Sequence, residues 1–430
     1  MRKQKLAYTV RMVRLESGER LPMLVSKSGL PLFDPTLYAL TELRARNRST
    51  ATIEQALRAI LVLRLVLDRL GVDLEARMAE RKLLEDGEIE EVLRSCRRPL
   101  EALSRQITGS VSGNRNLASL EKVRMAAIAD PSREVDAGTA AIRAHYVTSY
   151  LRWRIDKQLL RLNGDRDRPV HAELAARADV MLRTFRNRAP TVGTGHALSK
   201  RQGLSEGSVA RLLGAIQPDS PANPWKGKHV RERNRLIVRW LLDLGLRRGE
   251  LLGVKIENIN FQTHEVRIDR RADDPEDPRR YQPNTKTQGR LLPLSEELTR
   301  LTHRYITDHR RSAEGARKHA FLFVAVKTGA PMTLSALNKV FSVVRRECPD
   351  LPDDLSPHVL RHTWNDRFSA LMDKQNVSEE TEKKMRSRLM GWSETSGTAA
   401  VYTRRHVQRK AREAALALQA KLNTEGANNG

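Results

Sequence analysis

Four short stretches in the second half of this 430-residue chain set reactive side chains in a fixed order. The first is Leu244-Gly245-Leu246-Arg247-Arg248-Gly249-Glu250-Leu251, and the second is Asn284-Thr285-Lys286-Thr287, just ahead of the run Arg290 to Leu294. The third is Pro357-His358-Val359-Leu360-Arg361-His362. The fourth is Leu389-Met390-Gly391-Trp392, with Val401-Tyr402 closing ten residues beyond the tryptophan. Guanidiniums hold anionic oxygens with planar, two-pronged hydrogen bonds. An ammonium of lowered pKa can deliver a proton, and an imidazole can accept one. A phenol, with an ordinary pKa near 10, must lose its proton as it attacks. An indole offers a single N–H donor and cannot shuttle a proton. Taken singly, each stretch has a plainer reading. Gly-Leu-Arg is a helix stop followed by a surface arginine; a lysine in a polar hairpin is solvated. His-x-x-Arg arises by chance in a basic chain, and a late tyrosine packs. The signal lies in the order and the separations.

In that order the stretches resemble the tyrosine recombinases, the phage-integrase-like family, over roughly residues 204 to 422, with a looser likeness over 35 to 190 to the family's helical core-binding domain. The resemblance implies site-specific strand cleavage and rejoining through a 3′-phosphotyrosine. It implies Arg247 and Arg361 as the catalytic arginines, Glu250 as the acid that positions Arg247 or His358, and Lys286 as the hairpin lysine. His358 pairs with Arg361 in His-x-x-Arg, Trp392 stands where most members carry His and some Trp, and Tyr402 is the nucleophile. Attack on a phosphodiester gathers negative charge on the non-bridging oxygens, which two guanidiniums can hold, while the leaving 5′-oxygen needs the proton Lys286 can supply. The implied partners are double-stranded DNA and three further copies in a tetramer, with room for a second recombinase or an accessory DNA-bending protein. No cofactor or metal is expected, and the chain has no Walker motif and no metal-ligand run.

Two features depart from the family pattern. An insert from Arg270 to Gln288 carries Asp273, Asp274, Glu276 and Asp277. Lys327 also stands before Thr-Gly, but a Leu-Phe-Val run precedes it and no Arg-x-x-Pro run follows. Tyr281 and Tyr305 are rival tyrosines, and neither follows the Arg, His and Gly-Trp series. The alternatives are a type IB topoisomerase, which shares a similar residue set, and a non-catalytic DNA-binding regulator.

The elements that must position these residues are legible as periodicities. Leu6 to Val13 and Leu21 to Val25 alternate as a small hairpin, giving an N-terminal extension over 1–33. Thr52 and Gln55 form a capping-box pattern ahead of a helix whose Ile53, Leu57, Ile60, Leu61 and Leu65 share one face, with Gly71 as its stop. Further helices are expected near Glu88 to Arg98 and Ala137 to Leu162. The latter carries Arg152, Arg154, Lys157 and Arg161 beside Tyr146, Tyr150 and Trp153, which suits either a DNA-backbone grip or a solvated face over an aromatic stripe. Residues 34–190 thus read as a helical DNA-binding domain and 191–203 as a linker. Residues 204–423 read as a catalytic domain and 424–430 as a disordered tail. Within the catalytic domain the helices expected are Glu232 to Leu244, Ser335 to Arg346, His358 to Met372, Glu379 to Met390 and His406 to Leu422. The strands expected are Glu265 to Asp269 and Arg290 to Leu294, joined by a loop of about twenty residues, longer than ordinary hairpin loops. The fold class is mainly α with a small β-sheet.

Composition agrees. Lys and Arg number 77 against 52 acids, a net charge of +25 that draws polyanions. Two cysteines are too few for a disulfide framework. No segment approaches the roughly 18 apolar residues of a membrane span, so a cytoplasmic, nucleoid-associated protein is expected.

Overall fold

A computed structural model describes residues 7–103, 134–162, 164, 168–191, 203–269, 274–283, 288–393, 402, 411 and 415–416. The chain divides into two units, Met1–Leu198 and Ser199–Gly430. Helices dominate both, each with one small antiparallel sheet, in line with the mainly α expectation. The expected linker falls almost wholly outside the described residues. So do the 424–430 tail and the helix from His406 to Leu422, apart from Ala411, Ala415 and Leu416, which are helical.

In the first unit, β1 (Tyr8–Arg14) and β2 (Arg20–Ser26) form the anticipated hairpin, in register from Tyr8 opposite Ser26 to Arg14 opposite Arg20. Helix α1 (Phe33–Tyr38) leads to α2 (Thr50–Leu70), which starts earlier than the Thr52 pattern predicts. Ser49 sits in extended backbone, so its Oγ can accept the backbone N–H of Thr52 at 3.3 Å, and Ser49 is therefore the cap. Gly71 closes the helix in the left-handed conformation, as expected. Burial of Ile53, Ala56, Leu57, Ile60, Leu63, Val66 and Leu67 covers nearly the whole circumference of α2, the mark of a central core helix. Around it lie α3 (Leu74–Ala79), α4 (Asp86–Cys96) and α5 (Ala137–Leu159). Helix α6 (Arg168–Arg188), not anticipated, packs on α5 through Leu174, Ala178, Met181, Leu182 and Phe185.

The second unit is built on α7 (Glu206–Ala215) and α8 (Lys228–Leu244). Helix α8 begins four residues before the expected Glu232, because Gly227 at φ 83° turns the chain into it. After α9 (Arg248–Gly253) come β3 (Ile259–Asn260), β4 (Glu265–Ile268) and β5 (Arg290–Pro293), a three-stranded antiparallel sheet in that order. Then follow α10 (Glu296–Arg304), α11 (Leu334–Glu347), α12 (Pro357–Lys374) and α13 (Glu379–Met390). The short β3 and α10 were not anticipated. Trp240 of α8 is fully buried, and its indole N–H donates to Thr302 of α10 at 3.0 Å. Helix α12 packs on α8 and carries His358 and Arg361. Among the described residues no helix is long and apolar enough to cross a membrane.

Candidate active site

Two glycines bring the first and last stretches together. Gly245 ends α8 at φ 61°, and a Cβ there would stand 2.9 Å from the Trp364 ring and 3.0 Å from Met390. Only glycine satisfies both the left-handed backbone and the close approach of α12 and α13. Gly391 ends α13 in the same conformation, at φ 65°. The chain leaving Gly245 buries Leu246 and makes Arg247 the residue ahead of α9. Glu250, in the first turn of α9, reaches back to accept the backbone N–H of Arg247 at 2.9 Å and binds its Nη1 at 3.3 Å.

Glu250 is the hub of the site. Its side chain is only 1% exposed, yet it faces three guanidiniums. Arg290, at the start of β5, gives Nη2 to Glu250 Oε2 at 2.9 Å and Nη1 to Oε1 at 3.3 Å, and its Nε donates to the Leu389 carbonyl at 2.6 Å. Strand β5, α9 and the end of α13 are thereby locked together. Arg361 stands 3.9 Å from the same carboxylate and donates Nη1 to the Gly245 carbonyl at 2.5 Å. Burial, followed by the neighbouring Arg247, pushes the Arg361 pKa down to about 10, against the pull of Glu250 and Tyr402. Arg361 therefore stays charged at neutral pH.

On α12, His358, Arg361 and His362 fall at helical spacings of three and four and so share a face. His358 is exposed in the first turn, and its ring lies 4.2 Å from that of His362. The His362 ring lies 5.4 Å from Tyr402. Tyr402 stacks on Trp392 at 5.6 Å and 14° between planes, and both are buried in a small apolar cluster with Met390. Arg361 and Arg247 lie over the other partner of that stack, 5.3 and 5.9 Å from the Trp392 ring. The described residues thus bring together Arg247, Glu250, His358, Arg361, Trp392 and Tyr402, drawn from three of the four stretches.

Two buried donors in this cluster, Arg361 Nη2 and Trp392 Nε1, have no hydrogen-bond partner among the described residues. An unsatisfied buried donor costs about 1–3 kcal/mol, so a purely structural cluster would have closed them. Their chemistry suits an oxyanion held between the guanidinium and the indole.

Lys286 lies outside the described residues. The rival Lys327 is exposed in a turn. Part of the insert is described, and its described acids Asp274, Glu276 and Asp277 pair with basic residues. Lys255 binds Glu276 at 2.6 Å and Asp274 at 3.2 Å, and the buried Arg279 binds Asp277. Sequence reasoning missed Arg290 and His362. Arg290 could have been found only from burial, whereas His362 was signalled by its spacing of four from His358.

The four basic residues singled out in the first unit do not share one exposed face. Arg152 and Arg161 are exposed, and Arg152 reaches Asp179 at 3.3 Å. Arg154 is buried and paired with Asp34. Lys157 also binds Asp34, at 3.0 Å, and lies over the rings of Trp153 and Phe33. Tyr38, Tyr150 and Trp153 pack together beneath them. Arg154 is thus turned inward to Asp34, while Lys157 is half-buried beside it.

Residues 204–409 match the phage integrase family. The chain is 28% identical over 161 residues to the tyrosine recombinase XerD of Pseudomonas aeruginosa, covering 37% of this chain and 46% of that protein. It is 28% identical over 176 residues to the tyrosine recombinase XerA of Saccharolobus solfataricus, covering 41% of this chain and 47% of that one. The chain spans about half the length of these curated relatives.

Proposed function

We propose that this chain, a member of the phage integrase family through residues 204–409, is a site-specific DNA recombinase that cuts and rejoins strands through Tyr402. The observation that carries the reading is the stack of Tyr402 on Trp392 beside Arg361 and Arg247, with two buried donors that have no partner among the described residues. In the step proposed, the Tyr402 oxygen attacks a backbone phosphorus, its proton leaves, and a 3′-phosphotyrosine forms as the 5′-oxygen departs and is protonated. Arg361 and Arg247 hold the two non-bridging oxygens as their charge grows. The Trp392 N–H donates to one of them. Glu250 fixes Arg247 and, through Arg290, ties α9 to the end of α13. His358 and His362 are placed to take the phenol proton or orient the phosphate. Lys286 supplies the proton to the 5′-oxygen. The phosphodiester's energy is kept in the phosphotyrosine, so a second 5′-hydroxyl reverses the step without ATP.

Duplex DNA is the substrate, the working form is a tetramer on paired sites, and the cellular location is the nucleoid. Residues 34–190 form the helical DNA-binding domain, 204–423 the catalytic domain, and 191–203 the linker. The test is strand exchange. Two labelled duplexes carrying the target site should yield recombinant joints. Relaxation of supercoils without joints would instead make the protein a topoisomerase, and binding without either would make it a regulator.

A further inference from the structure

The reading above leaves one buried group behind the tyrosine unexplained. Arg386 of α13 has a side chain with 0% exposure. Its Nη2 donates to Glu382 and to Ser369, while Nε and Nη1 have no partner among the described residues. The guanidinium carbon lies 5.3 Å from the Phe368 ring and 5.9 Å from the Tyr402 ring. A guanidinium with two unmatched donors is costly to bury. For packing alone, an apolar side chain under Tyr402 would do better.

The geometry points to Arg386 as a positioning residue for Tyr402: from behind the ring it holds the phenol in its seat and favours the phenolate that attack requires. This rests on Tyr402 being the nucleophile. Two contributions are at hand. A guanidinium near an aromatic ring attracts it, more strongly where water is excluded. A cation at this range in a buried setting also favours an anion. Charged or titratable groups close to the phenol include Arg386 from α13 and Arg361 and His362 from α12. Glu382 and Asp366 act in turn on Arg386. Burial lowers the Arg386 pKa, while Glu382, Asp366 and the Tyr402 phenolate each favour its charged form.

The experiment is the titration of the tyrosines by NMR, with tyrosine labelled at the ring carbon bearing oxygen and the Tyr402 signal identified by its loss in Tyr402→Phe. Tyr38, Tyr150 and Tyr305 are similarly buried, and burial raises all three, Tyr305 to about 12. Tyr402 is expected to titrate below them in the unaltered protein. Glu382→Gln, which removes the counter-charge, should move its midpoint down. Arg386→Met with Glu382→Gln should move it up, and cleavage at neutral pH should fall several-fold and recover at higher pH. Arg386→Lys should restore the parental midpoint. A structural brace would give no opposed shifts. The inference is overturned if Tyr402 titrates with the other buried tyrosines, or if the single and double variants shift it alike. Should Arg386→Met with Glu382→Gln fail to fold, the midpoint in Glu382→Gln decides: a downward shift supports the inference, and an unmoved midpoint overturns it. A covalent DNA adduct that persists in Tyr402→Phe sinks the proposed function instead, a result the titration cannot produce.

Discussion

Arg279 and Arg361 are both buried arginines of the C-terminal unit, with side chains 4% and 3% exposed, and their hydrogen bonding differs. Arg279 gives Nε and Nη2 to Asp277 at 2.9 and 2.8 Å, and Nη1 to the Leu252 and Met332 carbonyls at 3.0 and 2.8 Å. Its flat face covers Phe321 at 4.5 Å. Every nitrogen is matched. Arg361 has one nitrogen on the Gly245 carbonyl, a carboxylate 3.9 Å away and Nη2 without a partner among the described residues. Saturation is what a buried guanidinium needs when its role is to hold a fold together. A donor left open at comparable burial suits a ligand that supplies the missing acceptor. Between these two arginines, alike in burial, hydrogen bonding separates the one that braces the fold from the one proposed to hold a phosphate.

That contrast can be broken by mutation. Arg361→Ala and Arg247→Ala should each slow single-turnover cleavage by on the order of 10²–10³-fold, with far smaller losses in DNA affinity. Unchanged cleavage per bound complex would reduce both to backbone contacts. Arg279→Met should act the other way. It strands the buried Asp277 carboxylate and should cost about 3–5 kcal/mol of stability, read as a lower melting temperature. Cleavage by the protein that remains folded should be unchanged, and a loss of cleavage at full folding would erase the distinction.

A pH profile sharpens it further. Burial holds the Arg361 pKa near 10, so cleavage should decline as pH rises through about 10 and the guanidinium loses its charge. The sign for stability is opposite. The folded pKa lies below the unfolded one, so between them the unfolded chain binds more protons, and this group's contribution to stability rises with pH across that window. Unfolding driven by Arg361 therefore cannot account for the decline, and a melting scan at each pH checks this.

The smallest effect concerns His229, pushed down to about 4 by burial, with His309 and Arg233 adding to it. Its folded pKa lies below the unfolded value, so the stability that goes with the neutral ring is lost as pH falls from about 6.5 toward 4. The melting temperature should drop over that range, and His229→Leu should flatten the drop. A slope that His229→Leu leaves unaltered would assign the acid sensitivity elsewhere.

Much of the site was legible because its backbone needs left a trace. Gly71, Gly245 and Gly391 mark helix ends where only a left-handed residue fits, and His358, Arg361 and His362 recur at helical spacing. What stayed hidden was burial. Arginine is usually exposed. Arg279 and Arg386 have acids two and four residues away, a spacing equally common on solvated surfaces. Nothing local distinguishes Arg290 from a solvated neighbour, since its partners Glu250 and Leu389 lie 40 and 99 residues away. The burial of Arg154 was hidden for the same reason, its partner Asp34 being distant in the chain. Helix α6 was missed because its apolar stripe is thin among Arg168, Arg177, Arg183, Arg186 and Arg188. The cap of α2 was misplaced because Ser49, Thr50 and Thr52 are all plausible caps, and only backbone geometry selects Ser49.

The most direct measurement is to trap and locate the covalent intermediate. The protein is incubated with genomic fragments, denatured, and the DNA-bearing peptide is identified by mass spectrometry while its DNA is sequenced. A phosphodiester-linked nucleotide on the peptide containing Tyr402, joined through the 3′-phosphate and absent from Tyr402→Phe, is the expected result. An adduct on Tyr281, Tyr305 or any other residue, or one that survives in Tyr402→Phe, contradicts it.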